Sequence, residues 1–525
     1  MCGIAGFTGT PNPDLLTRMG ERIAHRGPDQ RGRYEHEGIS LTHARLSIID
    51  LSEAGRQPMQ TVDGRYTIVY NGELYNYRAL REEYLREGFV FRTQTDTEVF
   101  LASLSLHGLQ DLGRMHGMFA FVIWDTLEKR LFAARDRMGI KPLYLAHRGN
   151  DIGFASEIKA LLPWTGPCRE DEEARSIYLA LGYVPGPRTM FAGITSLSPG
   201  CLYHWQDGKE QTIPYHQETD VSPASTSRTH EQIVAELRTR VDASVEAQLV
   251  SDRPVGLFLS GGWDSSVVAA SMRRARPDAS MKAFTVRFAH DTDDKKFNQD
   301  ADIAKKTAQA LAIQHYEVSL SANDVIARAD QVAFALDQPS ANHSIYALDK
   351  VATLAATEVP VVLSGDGGDE SFGGYTRYAF VERMKWWMRV PVSARRGLVR
   401  SLSSSTWVRN HADALEASSA AALFTSFHAA PSRQLSRWFP GVAHPFASAE
   451  QIFAERIESL HLSSQDPVAT FMAVDRALWL RDDAFPRADR MTMLHGLEAR
   501  VPLTDDALVA FAASLPTHLH VSHGQ

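Results

Sequence analysis

The sequence predicts an α/β protein of two domains. A mixed α/β layer domain is expected over residues 2–205, a connection over 206–230, and an α/β parallel-sheet domain with a helical C-terminal part over 231–525. Three observations carry this reading. At 525 residues and 58.3 kDa the chain is several times the usual domain length, which argues against a single core. Short β-like runs alternate with helical stretches up to about residue 205; after residue 231 apolar runs alternate with Ala-rich helical stretches, the pattern of a parallel sheet covered on both faces. The composition, 44% apolar and 22% charged, is that of an ordinary globular chain.

In the first domain the β-like runs are GISLTHARLSIID, RYTIVYNGE, MFAFVIWD, RLFAARD, PLYLAHR and GFASE, with helices expected at about 12–24 and 76–106. Residues 217–230 (QETDVSPASTSRTH) are Ser/Thr/Pro-rich with little to bury, as an exposed boundary should be. Ile233, Leu237, Val241, Val245 and Leu249 recur every four residues, so an amphipathic helix leads into the apolar run PVGLFLS at 254–260. MKAFTVRF and VPVVLSG extend the sheet, DIAKKTAQALAI reads as a covering helix, and 377–515 reads as wholly helical.

The charge balance is 55 Lys+Arg against 63 Asp+Glu, a net charge of −8 without a basic block, which argues against nucleic acid or an anionic membrane as the main partner. There is no long apolar run and no signal-peptide pattern, so a soluble chain is expected. Three cysteines, at 2, 168 and 201, make no disulfide framework and point to the cytoplasm.

Cys2 has small neighbours (Gly3, Ala5, Gly6), so removal of Met1 would leave a thiol and a free α-amine on one residue. The amine titrates near about 8 and the thiol near about 8.5, so the amine can take the thiol proton without a histidine. Three further segments suit parts of an α-amino acid. Arg45 could pair with an α-carboxylate, Glu73 and Asp96 could hold an α-ammonium, and Asn71 with the Gly72 N–H could stabilise a tetrahedral oxyanion. Singly, NG is also a common hairpin turn.

With MCGIAGF, HRGPD (25–29), HARLSI (43–48), NGE (71–73), TDTE (95–98) and RDRMGIKPLY (135–144) in order, residues 2 to about 205 resemble the glutaminase domain of class II glutamine amidotransferases. That resemblance implies an αββα N-terminal-nucleophile hydrolase sandwich. It also implies that Cys2 attacks the L-glutamine amide to release ammonia. Arg45, with Leu46, Ser47, Ile48 and Ile49, and Asn71, Gly72, Glu73 and Asp96 would bind glutamine.

VGLFLSGGWDSSVVAASM reads strand, tight loop, helix, a junction that aims backbone N–H groups at an anion. It is neither a Walker loop, since no lysine follows, nor a dinucleotide fingerprint. An Asp on a phosphate loop makes sense with Mg2+ in between. SGGWDSS resembles the pyrophosphate loop of N-type ATP pyrophosphatases. Together with the first domain, VVLSGDGGDESFGGY (361–375) and DRMTMLHGLEARVPLTD (489–505) resemble the glutamine-hydrolysing asparagine synthetases. By that resemblance Phe258, Ser260, Gly261, Gly262, Asp264, Ser265, Ser266, Val286, Ser364 and Gly365 surround ATP. Asp264 and Asp369 hold Mg2+, and Asp366 handles the ammonia proton.

The chain departs from the family pattern at Trp263 (usually Leu), Asp366 (Glu), Arg487 (Lys) and Asn342 (Asp). No lysine follows Lys385, so the family's late pyrophosphate-facing lysine has no counterpart here. Mg2+ with Arg487 or Arg490 would have to substitute, and weak synthetase turnover is expected. The resulting expectation is an enzyme that uses glutamine, ATP and Mg2+ to amidate a carboxylate, L-aspartate by default, with a homodimer as the assembly to test. A natural-product or cell-surface acid is the alternative acceptor. A non-catalytic glutamine or ATP sensor is a further alternative, against which Cys2, Asp264 and Asp369 argue.

Overall fold

The first domain is two six-stranded antiparallel sheets stacked face to face with helices outside both. In the computed structural model, which describes residues 2–216, 228–289, 298–439, 445–461 and 466–521, these strands are β1 (Gly3–Thr8), β2 (Gln30–His36), β3 (Ile39–Arg45), β4 (Met59–Gln60), β5 (Tyr66–Leu74), β6 (Gly117–Asp125), β7 (Arg130–Arg135), β8 (Tyr144–Arg148), β9 (Asp151–Ala155), β10 (Ile194–Ser196), β11 (Cys201–Gln206) and β12 (Lys209–Pro214). One sheet runs β10-β8-β9-β1-β3-β2 and the other β12-β11-β7-β6-β5-β4.

Period-two alternation builds the layers. In β6, Ala120, Val122 and Trp124 face the opposite sheet, meeting Ile4, Ile39 and Leu41. Phe119, Phe121 and Ile123 face outward, onto α2 (Tyr77–Arg86) and α3 (Thr97–His107). The first sheet is covered by α1 (Pro13–Arg22) and α4 (Ile158–Thr165) through Leu16, Met19 and Trp164. This is the αββα sandwich.

The expected single helix at 76–106 is two. The first ends at Arg86, the chain turns at Gly88 (φ +94°), and Glu98 then accepts bonds from Arg92 N, Thr93 N and the Thr93 hydroxyl to start the second. The layer also runs past residue 205, because β12 pairs with β11 across the positive-φ pair Asp207-Gly208. Most of the expected 217–230 boundary lies outside the described residues. A further helix, α5 (Glu172–Leu181), leaves the sandwich to pack Ile177, Ala180 and Leu181 into the helical region of the second domain.

The second domain opens with α6 (His230–Gln248), capped by a reciprocal Thr229–Gln232 box. Its sheet comprises β13 (Val255–Phe258), β14 (Lys282–Phe288), β15 (Gln314–Leu320), β16 (Val361–Leu363) and β17 (Glu498–Arg500), all parallel, in the order β15-β14-β13-β16-β17. α6, α7 (Trp263–Ala275) and α8 (Gln299–Ala310) cover one face. α10 (Ser344–Ala356), which follows α9 (Ala322–Leu336), covers the other.

β17 corrects the wholly helical reading of 377–515. Its Glu-Ala-Arg carries no strand propensity, and pairing with β16 alone makes it a strand. Before it, Pro467–Asp475, Arg476–Ala484 and Phe485–Met493 form one continuous helix whose middle segment is π-wound, an irregularity frequent at functional sites. No helix among the described residues is long and apolar enough to cross a membrane.

Candidate functional site

Cys2 leads β1 and is buried beside β5. Its backbone nitrogen donates to Asn71 Oδ1 at 2.9 Å, and its Sγ lies 4.0 Å from Leu46 O. Asn71 is fully buried, yet its Nδ2 has no protein acceptor. The amide that anchors Cys2 N therefore keeps an unused donor, which a buried group tolerates when a ligand oxygen completes it. At Gly72 a Cβ would sit 2.1 Å from Met118 O, so only glycine lets β5 lie this close to β6. Burial pushes the Cys2 thiol above its ordinary value.

Glu73 lies near the Cys2 thiol, and Asp96 lies near Glu73. Asp96 Oδ2 accepts from the Tyr70 hydroxyl and from Leu74 N, both at 2.9 Å, while Glu73 Oε2 is buried without a hydrogen bond. Burial, with Glu498 next, holds Glu73 well above the usual carboxylate range, and burial also raises Asp96. Such a pair stores a demand for a cation. Arg45 is engaged internally: its guanidinium donates to Gln30 Oε1, Ser52 O, Ile49 O and Asp50 O, holding the 45–52 loop. Both Nη atoms are thus committed within the first domain, which leaves the two-pronged face on them occupied. In the same loop Ser47 N donates to Asp29, and Ile48 O accepts from Asp252 N of the second domain. Leu46 and Ile49 are buried on this loop.

The second cluster lies at the ends of β13 and β16. From β13 the chain moves to β14 and β15 on one side, then returns to β16 on the other, so the crevice between β13 and β16 is the topological switch point where open parallel sheets bind ligands. Both glycine-rich loops meet there. Ser260 Oγ bonds Ser265 Oγ at 3.0 Å, and Ser265 and Ser266 hydroxyls donate to Gly262 O at 3.2 and 2.8 Å, folding the turn onto the start of α7. Gly261 has φ +89°, and a Cβ there would sit 2.0 Å from Asp300 O. A Cβ on Gly365 would touch Ser265 N at 2.7 Å, and one on Gly368 would fall 2.4 Å from Asp264 Cγ. Phe258 and Val286, half-buried, end β13 and lie in β14 beside it.

Asp264 is pushed up to about 6 by burial together with the neighbouring Asp369 and Asp366 carboxylates. Asp366 accepts from Ser364 Oγ at 2.8 Å. Among the described residues no group of three or more His, Cys, Asp or Glu forms a metal cage. Two facing carboxylates fit Mg2+, which takes one or two protein oxygens and completes its shell with water and substrate phosphates.

The departures from the family pattern separate. Trp263 is 88% exposed and packs into nothing. Asn342 Nδ2 and Arg487 Nη1 converge on one carboxylate, Asp483 of the π-wound segment, at 3.2 and 2.7 Å. Arg490 is buried and bonds Ser156 O at 3.0 Å, with Glu157 at 3.2 Å and Asp337 at 3.1 Å. Of the two arginines considered for the pyrophosphate, Arg490 is therefore buried among partners of its own, and Arg487 commits one Nη to Asp483.

Several site residues lie inside the matched motifs but were given no role from the sequence. Glu498 and Arg500 of β17 stand against the first cluster: Arg500 bonds Glu498 at 2.6 Å and lies 3.7 Å from Glu73, while Arg500 O accepts from Ser364 N at 2.9 Å. Arg26, fully buried, donates from Nε to Cys2 O at 3.0 Å and forks onto Asp489 at 2.7 and 3.0 Å. Lys141, 4.0 Å from Asp489, is lowered to about 8 by burial. Charges inside otherwise apolar runs (LEARV, HRG, GIKPL) were the available signal. Between the two clusters lie the apolar groups Met118, Met493, Tyr75 and Ile140, and Met138, Leu480, Ala484, Phe485 and Val501.

Comparison with known proteins finds a family match along each half of the chain. Residues 1–216 match the family described as glutamine amidotransferase domain and residues 236–525 the one described as asparagine synthase. Asparagine synthetase [glutamine-hydrolyzing] 1 of Bacillus subtilis (strain 168) is 32% identical over 540 residues, covering 100% of this chain and 82% of its own. Amidase chry2 of Gibberella zeae is 31% identical over 416 residues, 72% of this chain and 60% of its own. Among solved structures, the glutamine phosphoribosylpyrophosphate amidotransferase from B. subtilis matches with a TM-score of 0.32 and 18% identity, over 53% of this chain and 64% of that one. With both of its halves matched and a relative aligned along its full length, the chain belongs to the family of glutamine-hydrolysing asparagine synthetases.

Proposed function

We propose that the chain hydrolyses L-glutamine at Cys2 and delivers the ammonia to a carboxylate, L-aspartate, activated with ATP and Mg2+ in the β13/β16 crevice. The observation that carries the first half is Asn71, which anchors Cys2 N with one end of its amide and keeps a buried, unused donor on the other. With Met1 removed, that nitrogen is the α-amine that takes the thiol proton. The thiolate attacks the side-chain amide carbon while Asn71 Nδ2 and the Gly72 N–H hold the oxyanion. Collapse, with proton return from the α-ammonium, expels ammonia and leaves a thioester that water hydrolyses to glutamate. Glu73 and Asp96 hold the substrate ammonium.

In the crevice the SGGWDSS turn and the N-terminus of α7 face the phosphates, and Ser364 and Gly365 close the opposite wall. Mg2+ on Asp264 and Asp369 would neutralise charge on the leaving pyrophosphate. Asp366 takes a proton from attacking ammonia. The intervening methionine-rich seam suits uncharged ammonia, because its lining is apolar except for the Tyr75 hydroxyl, which burial makes too weak an acid to trap ammonium.

A second acceptor reading is favoured by Asn342. Its amide replaces a carboxylate at the place where Asp483 and Arg487 meet, which changes the charge offered there. A non-aspartate acid is then the acceptor. Pyrophosphate release by the Cys2→Ala protein, supplied with ammonia, ATP, Mg2+ and a panel of carboxylic acids, separates the two. Cys2→Ala should lose all glutamine-supported amide formation and keep the ammonia-supported reaction. Equal loss with both nitrogen sources would refute two separate sites.

A further inference from the structure

We infer that Asp489, a residue of the second domain, positions the Cys2 nucleophile of the first through Arg26. The inference rests on Cys2 being the glutaminase nucleophile. Two bonds fix the Cys2 backbone: its nitrogen on Asn71 Oδ1 at 2.9 Å and its carbonyl oxygen under Arg26 Nε at 3.0 Å. Between them they set the direction in which Cβ and Sγ project. Asn71 belongs to the same domain as Cys2. Arg26 does too, but what orients its guanidinium does not.

Both Nη atoms of Arg26 bond Asp489 in a parallel fork, at 2.7 and 3.0 Å, and the pair is fully buried. Burial works against the Arg26 charge, but Asp489 first, then Glu157, more than offset it. Glu157, the carboxylate from its own domain, touches one Nη and is divided among other partners: Lys159 at 2.5 Å, the His25 ring at 3.1 Å and Arg490 at 3.2 Å. Asp489 alone supplies two-point orientation, the geometry that makes an arginine–carboxylate fork directional. Without it, Arg26 keeps a shared single contact and its Nε is no longer aimed at Cys2 O. The glutaminase centre is therefore complete only when the helix Phe485–Met493 is seated against the Ala24–Arg26 turn, so that glutamine is not hydrolysed apart from the domain that uses its ammonia.

The test uses the full chain with Asp489→Asn and Arg26→Lys. A lysine retains a charge for Asp489 but cannot fork onto it while reaching Cys2 O. Because Arg26 does not touch the substrate, each variant should lower kcat for glutamine hydrolysis about tenfold or more while the KM for glutamine stays within about twofold. Inactivation of Cys2 by a glutamine-mimicking diazoketone should slow in parallel, and ammonia-supported amide formation should persist. Unchanged kcat in a variant that keeps ammonia-supported activity overturns the proposal, as does a rise in KM with kcat unchanged. If Asp489→Asn loses both activities, Arg26→Lys decides; if both variants lose both, the residues are structural and the proposal fails. Cys2→Ala serves as the separate control: retained glutamine hydrolysis there would overturn the nucleophile assignment itself.

Discussion

At the scale of single residues the site is defined by what burial does to charge. Glu73 and Asp96 hold their protons more firmly than free carboxylates, Glu73 most of all, because burial and neighbouring acids disfavour the ionised forms. An incoming α-ammonium reverses that, so glutamine binding should release protons and weaken as pH falls. Calorimetry of glutamine binding in buffers of different ionisation enthalpy checks this; buffer-independent heats would refute it. His43 is a second case. It is buried, shares a hydrogen bond with Tyr70 O at 3.0 Å, and burial lowers it from 6.5 to about 3. Below pH 6.5 the unfolded chain takes up a proton that the folded one refuses, so stability present above 6.5 is lost as pH falls toward 3. The loss is about 2 kcal/mol by pH 5. The first unfolding transition should fall between pH 7 and 5, and His43→Gln should flatten that dependence.

At the scale of elements, close approaches tie loops to chemistry. Gly368 lies where a Cβ would fall 2.4 Å from Asp264 Cγ, so Gly368→Ala should turn the Asp264 carboxylate out of line with Asp369. The expected outcome is loss of acceptor-dependent ATP–pyrophosphate exchange by a factor of about a hundred, with glutamine hydrolysis unchanged. The start of α7 and the glycine turn before it were legible in the sequence, because strand, Ser-Gly-Gly and a helical Asp-Ser-Ser stand in order. The division of 76–106 into α2 and α3 was not read, since its cause is a set of side-chain bonds to Glu98. The three-residue β17 was not legible either: Glu-Ala-Arg becomes a strand by pairing with β16.

At the scale of the whole molecule, the two clusters are joined by buried ions and by an apolar seam. Val501, 2% exposed, packs with Met138, Leu480, Ala484 and Phe485 between them. Val501→Trp should overpack this seam, at a cost of about 1–3 kcal/mol in stability. Glutamate should still form, amide formed per glutamine should fall severalfold, and added ammonia should restore synthesis. A ratio of amide to glutamate equal to that of the unaltered protein would remove the seam from the ammonia path.

The sequence by itself determined the two-domain α/β class, the alternating strands and their covering helices, and the motifs around Cys2, Asn71, Asp96, Asp264 and Asp369, because each is a local pattern of residue types. Tertiary structure alone decided which charges meet. That Arg45 spends its guanidinium on its own loop, that Asn342 and Arg487 share Asp483, and that Arg26 forks onto Asp489 depend on residues as much as 463 positions apart. Burial also sets the strength of each contact, through the dielectric around it, and a linear pattern carries no measure of either.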